Sequence, residues 1–575
     1  MLFALLDRLQ TLSTCPVSIF IAPLHPEVVH LRQDQADVRP NGAFFEMSDE
    51  SQPFWKILAT DIQQAPDGGL YISDWVNGWD GVGKGRIYKF FDPQLVDAPI
   101  VREVAEILGD DRFAERPPKA LAHLLDHVDR RVRLRAQRAL AEKRARDVLV
   151  TASNSAATPF GRFHAVWGLG QLARGGDDAA QAALISLVSQ SDDELQAQVL
   201  KTLGDASKNV PVDLIVKMAA SGSPRVRYFA CHLLGASSSQ AGVPVLLSVL
   251  RENKDVDPII RHGAIMGLVG AATSEQLREA AGHTSRFVRK GVLIAMRKRG
   301  LEAIQLFLDD SEPEIVVEAA RAIHDAPAIH GDGAIHGDGA IHGDGAIHGD
   351  GIHGDGARDG LARLARLLER IPTDDALTRR VLNANFRIGG RREAEALVEF
   401  ACQSTASESM RIEALAMLGD WAQPSPRDRV LGRWAPLEAR DSAIPADALR
   451  GRIASVLASP EKVRDAAIAV STGLGISEIA PTLRRLLSNG KPDQQAAAIR
   501  ALDALDSAGV ADAAQKLLDH DSPTVRIAAR DVLVSRDATL VIASLQAAVR
   551  ADVAAERQHA WDVLGGLKSE SAVEL

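Results

Sequence analysis

A chain of 575 residues is too long to bury one compact core, which leaves several domains or a quasi-linear array. Apolar residues make up 46% and charged residues 25%, but aromatics only 4%, so the interior must rest on small aliphatic side chains that let helices approach closely. The 66 basic side chains are outweighed by 76 acidic ones, a net charge of −10. That balance argues against nucleic acid as a partner, because phosphate binding leaves a basic footprint.

No run of about 18 apolar residues occurs, so no membrane span is expected. The start, Met1 to Leu6, is apolar but meets Asp7-Arg8 with no basic segment before it, which makes an unconvincing signal peptide. Cys15, Cys231 and Cys402 are odd in number and far apart, giving neither a disulfide framework nor a Cys-x-x-Cys site. Residues 1–53 show no sustained period and are broken by Pro16, Pro23, Pro26 and Pro40, so they are expected to be irregular, with short elements at most.

Residues 54–95 change character. Ala65-Pro66-Asp67-Gly68-Gly69-Leu70-Tyr71-Ile72-Ser73-Asp74-Trp75 and Gly83-Lys84-Gly85-Arg86-Ile87-Tyr88 read as strand, Pro-Asp-Gly turn, strand, glycine-rich loop and strand. Three strands alone are marginal and need a cover.

From residue 100 a helical motif recurs, clearest at Val132-Arg133-Leu134-Arg135-Ala136, Val226-Arg227-Tyr228-Phe229-Ala230 and Val525-Arg526-Ile527-Ala528-Ala529. Val132, Ala136 and Leu140 fall on one stripe, and the alanine admits a close neighbour. Asp129, Ser223-Pro224 and Asp521-Ser522-Pro523 supply helix starts. Each arginine beside the valine should reach an acid in the next repeat. A spacing of roughly 27 to 34 residues fits two helices and two turns, the signature of a stacked helix-pair array over residues 100–327 and 358–575. The fold class is therefore mainly α, an α-solenoid of short HEAT-like helix pairs with a small N-terminal β segment.

Two interruptions break the array. Residues 328–357 repeat Ala-Ile-His-Gly-Asp-Gly, too glycine-rich to sustain a helix. Residues 423–445, with Arg427-Asp428-Arg429, Trp434 and Pro436, form a longer loop.

The Asp67 to Trp75 and Gly83 to Tyr88 stretches, followed by short repeats and then by Asp420-Trp421, Pro426-Arg427-Asp428-Arg429-Val430 and Pro436-Leu437, resemble planctomycete-type membrane-bound dehydrogenases, also described as haem-binding HEAT-repeat proteins. The resemblance implies that residues 54–95 are the last blade of a sugar-dehydrogenase-like β-propeller. It also implies that the repeats are of the phycobilisome-lyase type and that the setting is periplasmic. Members carry most of a propeller upstream and commonly a Cys-x-x-Cys-His cytochrome downstream. This chain has neither, so it reads as a fragment. Tyr228-Phe229-Ala230-Cys231-His232 lacks the first cysteine and reads as a buried repeat position.

Few residues suggest chemistry. His330, Asp332, His336, Asp338, His342, Asp344, His348, Asp350, His353 and Asp355 offer imidazoles and carboxylates to a loosely held Zn²⁺, Ni²⁺ or Cu²⁺, but a glycine-rich tract provides no fixed surroundings and a plain low-complexity expansion is the simpler reading. Asp67, Asp74 and Asp80 suit calcium or general-base roles in a complete propeller, and turn formation for Asp67 and Asp80 otherwise. Trp75 and Trp79 suit stacking on a sugar, or packing the blade against the first helices. The basic starts at Arg130-Arg131, Arg133, Arg135, Arg286, Arg289 and Lys290 suit an acidic ligand or, more simply, an arginine–aspartate ladder. No Gly-x-Ser-x-Gly, His-Glu-x-x-His or P-loop occurs. The sequence thus points to a non-catalytic scaffold for a protein partner, with no cofactor. The alternative is a fragment of a propeller-type sugar or alcohol dehydrogenase.

Overall fold

A computed structural model describes residues 35–51, 58–75, 85–94, 96–189, 192–206, 209–326, 355–370, 372 and 374–566. The chain divides into two compact units, Met1–Lys298 and Arg299–Leu575.

The first unit opens with a hairpin, β1 (Gln35–Asn41) against β2 (Phe44–Ser51), antiparallel with Asn41 opposite Phe44 and Gly42 at φ +58°. This corrects the expectation of an irregular segment. Asn41-Gly42 is the turn that lets two strands reverse, because glycine adopts positive φ without a Cβ clash, and Pro40 is tolerated in a two-stranded ribbon. A meander follows, β3 (Ala59–Gln64), β4 (Leu70–Asp74) and β5 (Arg86–Phe90), in that spatial order. Gly68, at φ +75°, lies where a Cβ would be 3.0 Å from Val101 of the first helix, and Arg131 donates to the Gln64 carbonyl at 2.8 Å. Those contacts seat the sheet on the helices, giving the strands the cover they need.

After α1 (Pro99–Gly109) the helices come in pairs. They are α2 (Pro118–His123) with α3 (Arg130–Glu142), α4 (Arg146–Ser155) with α5 (Pro159–Arg174), and α6 (Asp178–Val188) with α7 (Asp193–Ala206). Then come α8 (Val212–Ala219) with α9 (Pro224–Ala236), α10 (Val243–Asn253) with α11 (Pro258–Ala271), and α12 (Ser274–Ala280) with α13 (Arg286–Arg299). The predicted stripe is the core: Val132, Ala136, Leu140, Val226, Ala230 and Leu234 are all 0% exposed. Asp129 and Asp257 cap their helices through backbone N–H groups. Ser223 and Ser522 do not; they only supply an extended residue before a first-turn proline. Helices α9 and α11 cross through glycine, and a Cβ at Gly270 would sit 2.3 Å from the Gly235 carbonyl oxygen.

The second unit continues the plan. A 3₁₀ segment (Glu302–Asp309) precedes α14 (Pro313–His324), and α15 (Asp355–Arg366) precedes α16 (Asp375–Ile388). Helices α17 (Arg391–Cys402) and α18 (Glu408–Gly419) form the next pair, followed by α19 (Ala443–Arg450) and α20 (Ile453–Leu457) with α21 (Glu461–Gly473). The last pairs are α22 (Ala480–Asn489) with α23 (Pro492–Ala504), α24 (Val510–Lys516) with α25 (Pro523–Arg536), and α26 (Ile542–Ala548) with α27 (Ala554–Gly566). Val525, Ala529 and Leu533 repeat the 0% stripe. Both interruptions fall at the same kind of link, from the second helix of one pair to the first helix of the next. The His-Gly-Asp tract lies outside the described residues except at its end, where Asp355-Gly356 open α15. Past Pro99 the described residues contain no strand, only an isolated bridge between Arg427 and Trp434. No helix among them is long and apolar enough to cross a membrane.

Candidate functional site: a pinned loop with an exposed tryptophan

Between α18 and α19 the chain makes a tight excursion. The Asp428 N–H donates to the Arg433 carbonyl at 2.8 Å, the Gly432 N–H to Asp428 at 2.9 Å and the Ala435 N–H to Pro426 at 2.9 Å, with Gly432 at φ +67°. Asp428, 5% exposed, anchors this turn from below. One carboxylate oxygen accepts the N–H groups of Val430 (2.9 Å) and Leu431 (2.8 Å); the other accepts Asn383 Nδ2 (2.7 Å) and Arg387 Nη1 (3.2 Å). Burial pushes the Asp428 carboxyl upward, but the Leu431 N–H, the Asn383 amide and the Val430 N–H outweigh it and hold the group below its ordinary range.

The network runs deeper through α16 into α14. Asn383 Nδ2 lies 2.8 Å from His324 Nε2, and His324 Nδ1 lies 2.8 Å from Asp325, which Arg380 grips at 2.9 and 3.1 Å. With the amide as donor, Nε2 accepts and the Nδ1–H faces Asp325. The far end of the loop is held by Arg440, whose guanidinium stacks 5.2 Å from the Phe386 ring and 5.1 Å from Trp421, itself 0% exposed. An Asp–His pair invites a hydrolase reading. His324 is 0% exposed and both ring nitrogens have partners, so it orients no nucleophile; its product is a rigid base.

On that base Trp434 stands 59% exposed, beside exposed Arg427, Arg433 and Pro436. The Arg427 guanidinium donates to the Gly432 carbonyl at 3.0 Å, which ties the tip together.

The residues singled out in the sequence fare differently. Asp67 is a turn residue: it accepts the Gly69 N–H (3.0 Å), the Tyr71 hydroxyl (3.0 Å) and the Lys89 ammonium (2.7 Å). Asp74 is buried and accepts the Leu58 N–H at 2.9 Å, and Trp75 is 38% exposed. Trp79, Asp80 and the tract from His330 to His353 lie outside the described residues. Cys231 is wholly buried in α9 and burial pushes its thiol up to about 12, while His232 stacks edge-on against Tyr228 at 4.7 Å. This environment does not fit a haem.

The arginines at the helix starts bond to carbonyl groups of their own turn, and the expected rungs to acids of the neighbouring repeat form at some of them. Arg133 donates to the carbonyls of His127 and Val128, Arg289 to those of His283 and Thr284, Arg526 to those of His520 and Asp521, and Arg557 to those of Ala551 and Asp552. In three of these turns the histidine Nδ1 accepts an N–H two residues on, at 2.9 to 3.0 Å. Arg135 likewise covers the end of α1 through Ile107, Leu108 and Asp110. A guanidinium beside a helix start satisfies turn carbonyls that no backbone N–H reaches. Rungs to an acid of the neighbouring repeat also occur from this same motif position, at Arg162–Asp192, Arg227–Glu252 and Arg526–Glu556, and from other positions at Arg225–Glu194 and Lys290–Asp255.

The family model for HEAT repeats matches residues 182–269 and 452–534. Among solved structures the chain is similar to importin beta, at 13% identity over 81% of this chain and 69% of that one, with a TM-score of 0.36. It is also similar to an engineered protein, at 20% identity over 72% and 98% with a TM-score of 0.24, and to Kap121p bound to RanGTP, at 11% over 80% and 49% with a TM-score of 0.36. The chain thus spans about half the length of Kap121p. No curated protein matches it. Matched HEAT repeats thus lie in each of the two units.

Proposed function

We propose that this chain is a non-catalytic HEAT-repeat scaffold for protein partners and that the Trp434 loop of its second unit is a contact point. The observation that carries the reading is a 59% exposed tryptophan on a loop whose base is a buried hydrogen-bonded network. Tryptophan and arginine dominate binding energy at protein interfaces, and a side chain held in place before binding loses little entropy on docking. The test compares proteins retained by the native chain and by Trp434→Ala, followed by affinity measurement with each purified partner. A partner should lose at least about tenfold in affinity with an unchanged melting temperature, since a hot-spot residue is worth about 2 kcal/mol or more. Equal affinities for every partner would remove the loop from the function.

The dehydrogenase-like meander Ala59 to Phe90 supports a second reading, a fragment of a propeller enzyme with its cofactor site elsewhere. One blade cannot enclose a cofactor. The chain supplied with pyrroloquinoline quinone, calcium and an artificial acceptor should show no sugar or alcohol oxidation; turnover lost in Asp67→Ala or Asp74→Ala would overturn the scaffold reading.

A further inference from the structure

The hairpin tip is docked on the helix starts of the first unit through a small set of directional contacts. Asp257 caps α11 with one carboxylate oxygen, which accepts the Ile259 N–H at 2.8 Å and the Ile260 N–H at 3.1 Å. Its other oxygen accepts the Ala43 N–H at 2.7 Å. Arg225, at the start of α9, is held by Glu194 through two hydrogen bonds of 2.7 and 3.1 Å, and turns its remaining nitrogen toward the Ala43 carbonyl at 3.4 Å. The same guanidinium lies 4.8 Å from the Phe45 ring and 5.6 Å from the Phe229 ring. Both halves of the contact are therefore fixed by bonds inside the helical array, independently of the hairpin.

Such a pair reads backbone. A carboxylate takes the N–H and a guanidinium takes the C=O of one and the same residue, which defines direction and register in an extended chain much as a neighbouring strand would. Side-chain selectivity comes from three places. Ala43 is 0% exposed, leaving no room for a larger residue. A Cβ at Gly42 would lie 2.2 Å from the Asp257 carboxylate. Phe45 supplies an aromatic face to the guanidinium. We propose that Arg225 and Asp257 form a peptide-recognition clamp for extended segments of the form Gly-Ala-x-Phe, and that the chain's own β1–β2 hairpin occupies it as an intramolecular ligand.

The experiment uses the full chain and a fluorescent synthetic peptide of residues 35–51. In the Gly42→Val/Phe45→Ala chain the internal ligand is spoiled, because valine meets Asp257 and must adopt a positive φ, and the aromatic contact is gone. The peptide should bind this chain at least tenfold more tightly than it binds the native chain. Adding Asp257→Asn, which keeps the capping oxygen but presents a donor to the Ala43 N–H, should abolish the gain. In parallel, cleavage by a glutamate-specific protease at Glu46 should accelerate in the double variant. No peptide binding by the folded double variant, equal binding by native and double variant, binding insensitive to Asp257→Asn, or an unchanged cleavage rate at Glu46 would each overturn the clamp.

Discussion

The contact between the second helices of neighbouring repeats is made in two chemically opposite ways. In the first unit α9 meets α11 backbone to backbone, with Gly235, Gly267 and Gly270 in place of side chains. In the second unit α14 and α16 are joined through His324 and Asn383 at 2.8 Å, with Asp428 of the loop closing the network. The helix starts at Pro224 and Pro258 are separated by an ordinary repeat, whereas those at Pro313 and Asp375 are 62 positions apart. Regular spacing lets close packing alone set the register, since the neighbouring chain already dictates where each turn arrives. Where inserted sequence removes that constraint, a set of directional bonds specifies it, at the cost of leaving buried polar groups that must all stay paired.

The largest effect should come from breaking the polar seam. Asp428→Ala removes a buried acceptor shared by Arg387, Asn383 and two backbone N–H groups and should destabilise the second unit by about 3–5 kcal/mol. Urea unfolding measures the loss, and hydrogen exchange should show it in α16 and the loop while α9 and α11 keep their protection. The glycine seam should answer differently: Gly270→Val forces the Gly235 backbone away and should destabilise the first unit by about 1–3 kcal/mol, with exchange rising in α9 and α11 only. Equal spread of either effect through both units would show that the seams are not local.

Acid should separate the units further. Burial, reinforced by Arg133, pushes His164 down to about 3, so the stability tied to its neutral form is complete above about pH 6.5 and is lost as pH falls from there toward 3. Arg526 and Arg530 hold Glu556 down to about 2, so its contribution is complete above about pH 4.5 and is lost only as pH falls from there toward 2. Unfolding titrations should show His164→Gln flattening the dependence between pH 6.5 and 5, with Glu556→Gln altering it only below about pH 4.5. The smallest effect should follow removal of the His-Gly-Asp tract: halving a loop changes closure by roughly 0.6 kcal/mol, so the melting temperature should barely move. A large loss of stability, or a stoichiometric metal lost with the tract, would make the insertion a structural part of the second unit.

The helical array was legible because its signal is local: a valine, an alanine and a leucine on one stripe need no distant information. The hairpin was missed although Asn41-Gly42 marked it, because Pro40 and the surrounding prolines were weighed as breakers and the cover for a lone hairpin lies some 214 positions away, at Asp257. His324, Asn383 and Arg387 carried no motif of their own. They become a network only when the fold brings together bonded pairs that lie 41 to 59 positions apart. Asp428 itself was legible only as a loop residue and as part of a resemblance. For the arginines beside the valines the sequence showed the acidic partners, as at Arg227–Glu252 and Arg526–Glu556, but not the carbonyl partners, since acids are visible in a sequence and unsatisfied carbonyls are not.

The reach of the Asp428 network also bears on how the protein would carry load. A clasp such as Arg133 on His127 spans a few residues, so a pull on the chain ends would open it together with its own repeat and nothing else. The bonds linking His324, Asn383 and Asp428 instead tie three points of the chain that bracket α15 to α18. Tension would bypass the sequence between those points until the strap gave way, and an otherwise even series of small extensions would contain one late, long step.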